Sequence, residues 1–276
     1  MTPEAGPARG TASADATALA VLARIPYLNA EPFYTRWSDA PGTTVDLPPR
    51  ALGEEARAGR ADAGLMAVAD WFSLAPSFER VGPFGIACRG AVQSVLLFSR
   101  RPVDSLAGAS VDLTTESSTS VALTRLLLGS RYALPNVRYE RRAVEDGAAP
   151  EGDAWLLIGD AALRARADHA APHVLDLGQA WLEWTGLPFV YAVWAVRSSL
   201  PGSEKERLAA FLETSLAEGE SDLDAIAARY ASARPGLGSA AWLADYLRAF
   251  RYRLSEDEER GLARFRALYE EHCVDA

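Results

Sequence analysis

Three short stretches of this chain carry residues whose types and spacing could do chemistry. The first is Arg24-Ile25-Pro26-Tyr27-Leu28-Asn29-Ala30-Glu31-Pro32-Phe33, which puts a single amide, Asn29, where a short strand gives way to a helix. Pro26 holds Ile25 in extended backbone, and Pro32 suits the first turn of a helix. Asn29 is either a turn residue capping that helix or a ligand contact, able to donate and accept without titrating. The second is Thr114-Thr115-Glu116-Ser117-Ser118-Thr119-Ser120, hydroxyl-rich and set between a strand and a helix. The free N–H groups of a helix start favour anions, so Ser118, Thr119 and Ser120 read as a carboxylate or phosphate site, or else as a plain N-cap with spare serines. The third is Gly159-Asp160, closing an apolar strand. Asp160 either orients a ligand hydroxyl or caps the helix that follows.

Other chemistries find less support. His169 and His173 stand four apart, but Pro172 intervenes and no acidic or cysteine partner accompanies them, so no metal site is expected. Walker, G-x-S-x-G and G-x-G-x-x-G patterns are missing. Lys205 is the only lysine among 28 basic residues, and it sits in the polar run Ser203-Glu204-Lys205-Glu206-Arg207, which counts against Schiff-base chemistry. An aromatic block, Trp181, Trp184, Phe189, Tyr191 and Trp194, is either core packing or the wall of a cyclic ligand's pocket.

The elements that must position these residues follow from the apolar pattern. With 276 residues, 49% hydrophobic and 24% charged, the chain has enough apolar material for one large domain or two ordinary ones. A net charge of −9 argues against nucleic acid and anionic membranes as partners. No run approaches the roughly 18 apolar residues of a membrane span. Residues 1–17 read as a disordered tail without signal-peptide character, and Cys88 and Cys273 make no disulfide framework, so a cytoplasmic location is expected.

Short apolar runs at 20–23, 63–68, 94–98, 109–113, 153–160 and 189–196 alternate with helical stretches, including 49–58 stopped by Gly59 and 121–128 stopped by Gly129. This predicts an α/β protein with mostly parallel sheets. Ser203/Glu206 and Ser255/Glu258 match capping boxes, and Ser221/Asp224 is a looser match. If the runs at 94–98 and 189–196 cross between lobes, residues 18–98 and 192–276 form one discontinuous lobe and 99–191 the other. A cleft between lobes is a favoured place for a small ligand.

Taken in order, several motifs resemble one family. They are Ile25-Pro26-Tyr27-Leu28-Asn29, Gln93-Ser94-Val95-Leu96-Leu97-Phe98-Ser99 and Ser117-Ser118-Thr119-Ser120-Val121. Leu157-Ile158-Gly159-Asp160-Ala161-Ala162-Leu163-Arg164, Asp176-Leu177-Gly178 and Trp184-Thr185-Gly186-Leu187-Pro188-Phe189-Val190 complete the series. Over residues 20–270 the chain resembles the chorismate dehydratases of the futalosine route to menaquinone. The resemblance implies a two-lobed fold of the type II periplasmic-binding-protein kind, with each sheet mixed but mostly parallel. It also implies the loss of water from chorismate to give 3-[(1-carboxyvinyl)oxy]benzoate, with no cofactor. Asn29 and Ser94 match that family's active-site Asn and Ser, and Ser118, Thr119 and Ser120 would receive a substrate carboxylate. Gly159 and Asp160 would line the same site. Gly159 stands where a sister family, making 1,4-dihydroxy-6-naphthoate, carries a catalytic His, which favours the dehydratase. The alternatives are a cytoplasmic protein that binds a small anion without chemistry and the sister 1,4-dihydroxy-6-naphthoate synthase.

Overall fold

The computed structural model describes residues 21–143 and 150–273; the expected tail at 1–17 lies outside the described residues. The chain begins with β1 (Val21–Arg24), a 3₁₀ segment over Leu28–Tyr34, β2 (Thr43–Asp46), α1 (Pro49–Arg57), β3 (Ala63–Ala67), α2 (Val68–Leu74) and β4 (Phe78–Cys88). Then follow β5 (Val95–Ser99), β6 (Ser110–Thr114), α3 (Ser118–Leu126), β7 (Arg138–Arg142), β8 (Ala154–Ile158), α4 (Gly159–Ala167), β9 (His173–Asp176) and α5 (Leu177–Thr185). The remainder is β10 (Phe189–Arg197), α6 (Gly202–Ser221), α7 (Leu223–Ala233), α8 (Ala240–Arg248), β11 (Phe250–Arg253) and α9 (Glu256–His272).

The strands form two sheets, ordered β11-β4-β10-β3-β1-β2 and β7-β6-β8-β5-β9. Parallel pairing is confined to the neighbours of β1 and β6. β10 runs antiparallel to both β3 and β4, with Trp194 opposite Leu65 and Phe189 opposite Cys88. β11 is antiparallel to β4, and β5 is antiparallel to β8 and β9. The sheets are therefore mixed, but they are not mostly parallel as expected. A strand that returns from the other lobe re-enters its sheet in the reverse direction, and β10 does so.

The chain passes between sheets at 89–94 and again at 186–188. β5 lies wholly in the second sheet and β10 wholly in the first, so the boundaries expected at 98/99 and 191/192 fall inside strands. Those apolar runs are apolar because each is a central strand buried on both faces, not because it crosses.

Local signals explain most helix ends. Pro49 opens α1, and Gly59, at φ +76°, terminates the turn after it. The capping box at Ser255 and Glu258 forms. The one at Ser203/Glu206 does not, because α6 starts at Gly202 and Ser203 lies inside it. Ser221 ends α6 instead of opening α7, its hydroxyl donating to Glu218 O at 2.7 Å. Gly129 does not stop α3; the chain widens into a π turn over Leu127–Arg131 and runs through it.

The 3₁₀ segment carrying Asn29 is anchored by its neighbour Phe33. That ring is fully buried and meets Trp194, Tyr252 and Phe84 edge-on at 5.8, 5.6 and 6.3 Å. Such pairs contribute about 0.5–1.5 kcal/mol each beyond area burial. α6 lies against the segment at Gly219, where a Cβ would come within 2.2 Å of Pro32 O. Ser215 Oγ donates to Phe33 O at 2.7 Å. The interlobe face is thus supported from behind by the C-terminal helices.

Candidate functional site

Ser94 is set at the first crossing by a compact device. The Asp176 carboxylate accepts from Val92 N at 3.0 Å and Gln93 N at 2.7 Å, while also capping α5 through Gly178 N and Gln179 N at 3.0 and 3.1 Å. Gln93 takes a left-handed φ of 64°, and this turn delivers Ser94 to the head of β5. Gly159 N then donates to Ser94 O at 2.8 Å, fixing the serine backbone to the start of α4. The Ser94 side chain is buried, and its Oγ accepts from the Tyr246 hydroxyl at 2.8 Å; its own outlet within the protein, Val92 O, is 3.5 Å away.

Asn29 is the second residue of the 3₁₀ segment, whose N-cap position is Tyr27 with no side-chain cap. The capping alternative for Asn29 is therefore excluded. Asn29 lines a cleft shared with Ser94, Ser117, Ser120, Gly159, Tyr27 and Tyr191, with an apolar remainder that includes Ile25, Leu65, Ile86 and Ile158. The described residues lining it include no Lys, Arg, His, Cys, Asp or Glu. Burial is the main cause raising the Tyr27 and Tyr191 phenols, so both stay neutral near neutral pH.

The hydroxyl segment divides in two. Ser117 is the N-cap of α3, accepting from Ser120 N at 3.1 Å and donating to Ser120 Oγ at 3.1 Å, and this pair faces the cleft. Ser118 and Thr119 do not line it. Ser118 Oγ donates to Asp70 Oδ2 at 2.5 Å, and Thr119 Oγ1 accepts from Ala69 N at 3.0 Å, so both bind α2 of the opposite lobe. Burial is the first cause raising the Asp70 carboxyl, opposed by the Ser118 bond. Arg50 N donates to Glu116 O at 3.1 Å across the same seam.

Gly159 and Asp160 also part company. Gly159 lines the cleft at φ +55°, and a Cβ there would meet the Tyr27 ring at 3.3 Å. Asp160 is buried and does not line this cleft; it lines an adjoining hollow with Tyr27, Glu116 and Arg234. Its carboxylate accepts from Tyr230 Oη at 3.0 and 3.1 Å and pairs with Arg234, joining α4 to α7. His169, at φ 51°, follows α4, whereas His173 opens β9, so the two do not share a helix.

The aromatic block is mainly core. Trp181, Phe189 and the α9 residue Phe265 pack edge-on at 4.9–6.1 Å, and Trp181 Nε1 donates to Pro188 O at 3.2 Å. Tyr191 is the exception that reaches the cleft, and its buried hydroxyl has no partner among the described residues. Sequence reasoning missed Tyr27, Tyr246, Asp176 and Ser117 as contributors. Tyr27, Ser117 and Asp176 stand in the motifs quoted above without a role, whereas Tyr246 had no local signal.

Two comparisons bear on this geometry. A family model described as menaquinone biosynthesis matches residues 20–271. A chorismate dehydratase from Thermus thermophilus is 38% identical over 224 residues, covering 74% of this chain and 79% of the relative. The chain belongs to the menaquinone-biosynthesis family. Solved structures agree on the fold. An Archaeoglobus fulgidus protein superposes with a TM-score of 0.73 at 16% identity, covering 91% of this chain and 96% of its own. The alkanesulfonate-binding protein of Xanthomonas axonopodis pv. citri gives 0.66 at 15%, covering 94% of each chain. A Candida albicans protein described as having the generic periplasmic binding protein fold gives 0.60 at 10%, covering 91% and 90%. This member of the menaquinone-biosynthesis family therefore has a two-lobed periplasmic-binding-protein-like fold, with its cleft between the lobes. Among the described residues no helix is long and apolar enough to cross a membrane.

Proposed function

We propose that this protein is a chorismate dehydratase, a hydro-lyase of the futalosine route that converts chorismate to 3-[(1-carboxyvinyl)oxy]benzoate in menaquinone biosynthesis. The observation that carries the reading is the meeting of Asn29 and Ser94, from opposite lobes, in a cleft whose described lining offers neutral donors and no Lys, His, Asp or Glu. The Thermus relative supports the choice of substrate.

Water loss across C3 and C4 makes the ring aromatic, so the overall step is strongly downhill. The enzyme chiefly has to hold the conformer that eliminates, and positioning of this kind can supply about 7–11 kcal/mol. With no Lys, Arg, His, Asp or Glu among the described residues that line the cleft, the substrate's own enolpyruvyl carboxylate takes the C3 proton. The C3–H electron pair becomes the new ring bond, the C4–O bond breaks, and the departing hydroxyl takes up a proton to leave as water. Asn29 and Ser94 hold the carboxylate or donate to the leaving oxygen, where charge develops. Two helix starts, at Ser117 of α3 and Gly159 of α4, border the same cleft and suit a dianion.

The test is incubation of the purified protein with chorismate, followed by ultraviolet absorbance of the aromatic product. Binding without conversion would reduce the protein to a small-anion receptor. Turnover of cyclic dehypoxanthine futalosine in place of chorismate would move it to the sister activity.

A further inference from the structure

Ser94 Oγ has two protein contacts, and they are unequal. Tyr246 Oη is 2.8 Å away and Val92 O is 3.5 Å away. The first is a normal O–H···O bond, whereas the second lies beyond the useful range. A phenol that spends its single proton on Ser94 occupies a serine lone pair and leaves the serine proton to be given elsewhere. The open direction is the cleft, which Ser94 lines.

Tyr246 is well held for this task. It is buried on α8, its ring stacked on Trp242 at 6.0 Å and 16° and meeting Phe250 edge-on at 5.0 Å. Burial is also the main cause raising its phenol, so it remains a donor throughout the neutral range. From this geometry we infer that Tyr246 is a positioning residue that turns Ser94 into an oriented hydrogen-bond donor toward the substrate. Tyr246 itself does not line the cleft; it acts through Ser94.

The inference rests on the dehydratase reading, and a set of variants separates the two. Steady-state turnover of chorismate is measured for the unaltered protein and for Tyr246→Phe, Ser94→Ala and the double variant. Tyr246→Phe is expected to lower kcat by about 10- to 100-fold with KM within about twofold, as misplacement of a reacting group does. The double variant is expected to match Ser94→Ala, because the tyrosine has no other route to the substrate. Replacing Tyr246 with 4-aminophenylalanine, which restores a donor at the same place, is expected to recover most of the loss; it also guards against a Phe variant that fails to fold. Near-normal kcat in Tyr246→Phe, additive losses in the double variant, or no recovery by the amine would each overturn the role while leaving the activity intact. An unaltered protein that does not convert chorismate would overturn both.

Discussion

The Tyr27 hydroxyl donates to Glu116 Oε2 at 2.7 Å, tying the residue two before Asn29 to the turn that opens α3. The bond crosses from one lobe to the other at the rim of the cleft, beside the Ser118–Asp70 and Thr119–Ala69 bonds. The same tyrosine lays its ring over Gly159. Its hydroxyl thus closes the cleft while its ring forms a wall of it.

Tyr27→Phe keeps the wall and removes the tie. A net hydrogen bond is worth about 0.5–1.5 kcal/mol, so the closed arrangement should lose about two- to tenfold in population. KM for chorismate should rise by that factor with kcat less affected. An unchanged KM in steady-state assays would mean that the tie does not govern closure.

Asn29→Ala and Ser94→Ala should each lower kcat by about 10²–10³, the usual cost of losing one donor aimed at developing charge. Their circular dichroism and Tm should stay close to the parent, because Phe33 anchors the Asn29 segment and Asp176 fixes the backbone at Ser94. Turnover near the parent's in Asn29→Ala would remove that residue from the mechanism.

Asp160→Asn tests the remaining acidic candidate. Its carboxylate is occupied by Tyr230 and Arg234 and does not line the cleft. The kcat–pH profile should keep its shape, while stability to urea should fall by about 1–2 kcal/mol, because the amide keeps one acceptor oxygen for Tyr230 but loses the charge that pairs with Arg234. Loss of one limb of the profile would instead make Asp160 an acid or base.

Alkaline pH should weaken the fold. Burial, with the Asp176 charge next, pushes the Cys88 thiol up to about 12, against about 8.5 in an unfolded chain. Below about pH 8.5 both states keep the proton and the full stability is present; above it the unfolded chain releases a proton the native chain retains. Stability therefore declines as pH rises toward the folded value, by up to about 1.4 kcal/mol per pH unit for this group. Urea midpoints should fall between about pH 8.5 and 10, and fall less steeply in Cys88→Ala. Equal slopes would assign the loss to other groups, such as the buried phenols of Tyr191 and Tyr252.

The α/β class, the helix over 49–57 and the Ser255 cap were all legible from residue type and spacing, because each depends on neighbours within a turn or two. Asn29, Ser120 and Gly159 were singled out from the sequence and Ser94 through the family resemblance alone, and the fold brings all four to one cleft. Strand direction and the crossing points were not. A doubly buried strand reads as a plain apolar run whichever sheet takes it and whichever way it runs, as β5 and β10 demonstrate.

By itself, then, the order of motifs pointed to the family, which the match over residues 20–271 bears out. Tertiary structure decided which of the motif residues line the cleft. Ser118 and Thr119 sit two residues and one residue before Ser120, yet they bind α2, because successive helix positions point about 100° apart and only one face of α3 meets the cleft. Tyr246 lies 152 residues from Ser94 and meets it only when the C-terminal helices close behind the first sheet. Contacts at that distance leave no local pattern in a sequence, since nothing in the spacing of residues records which surfaces will later be buried together.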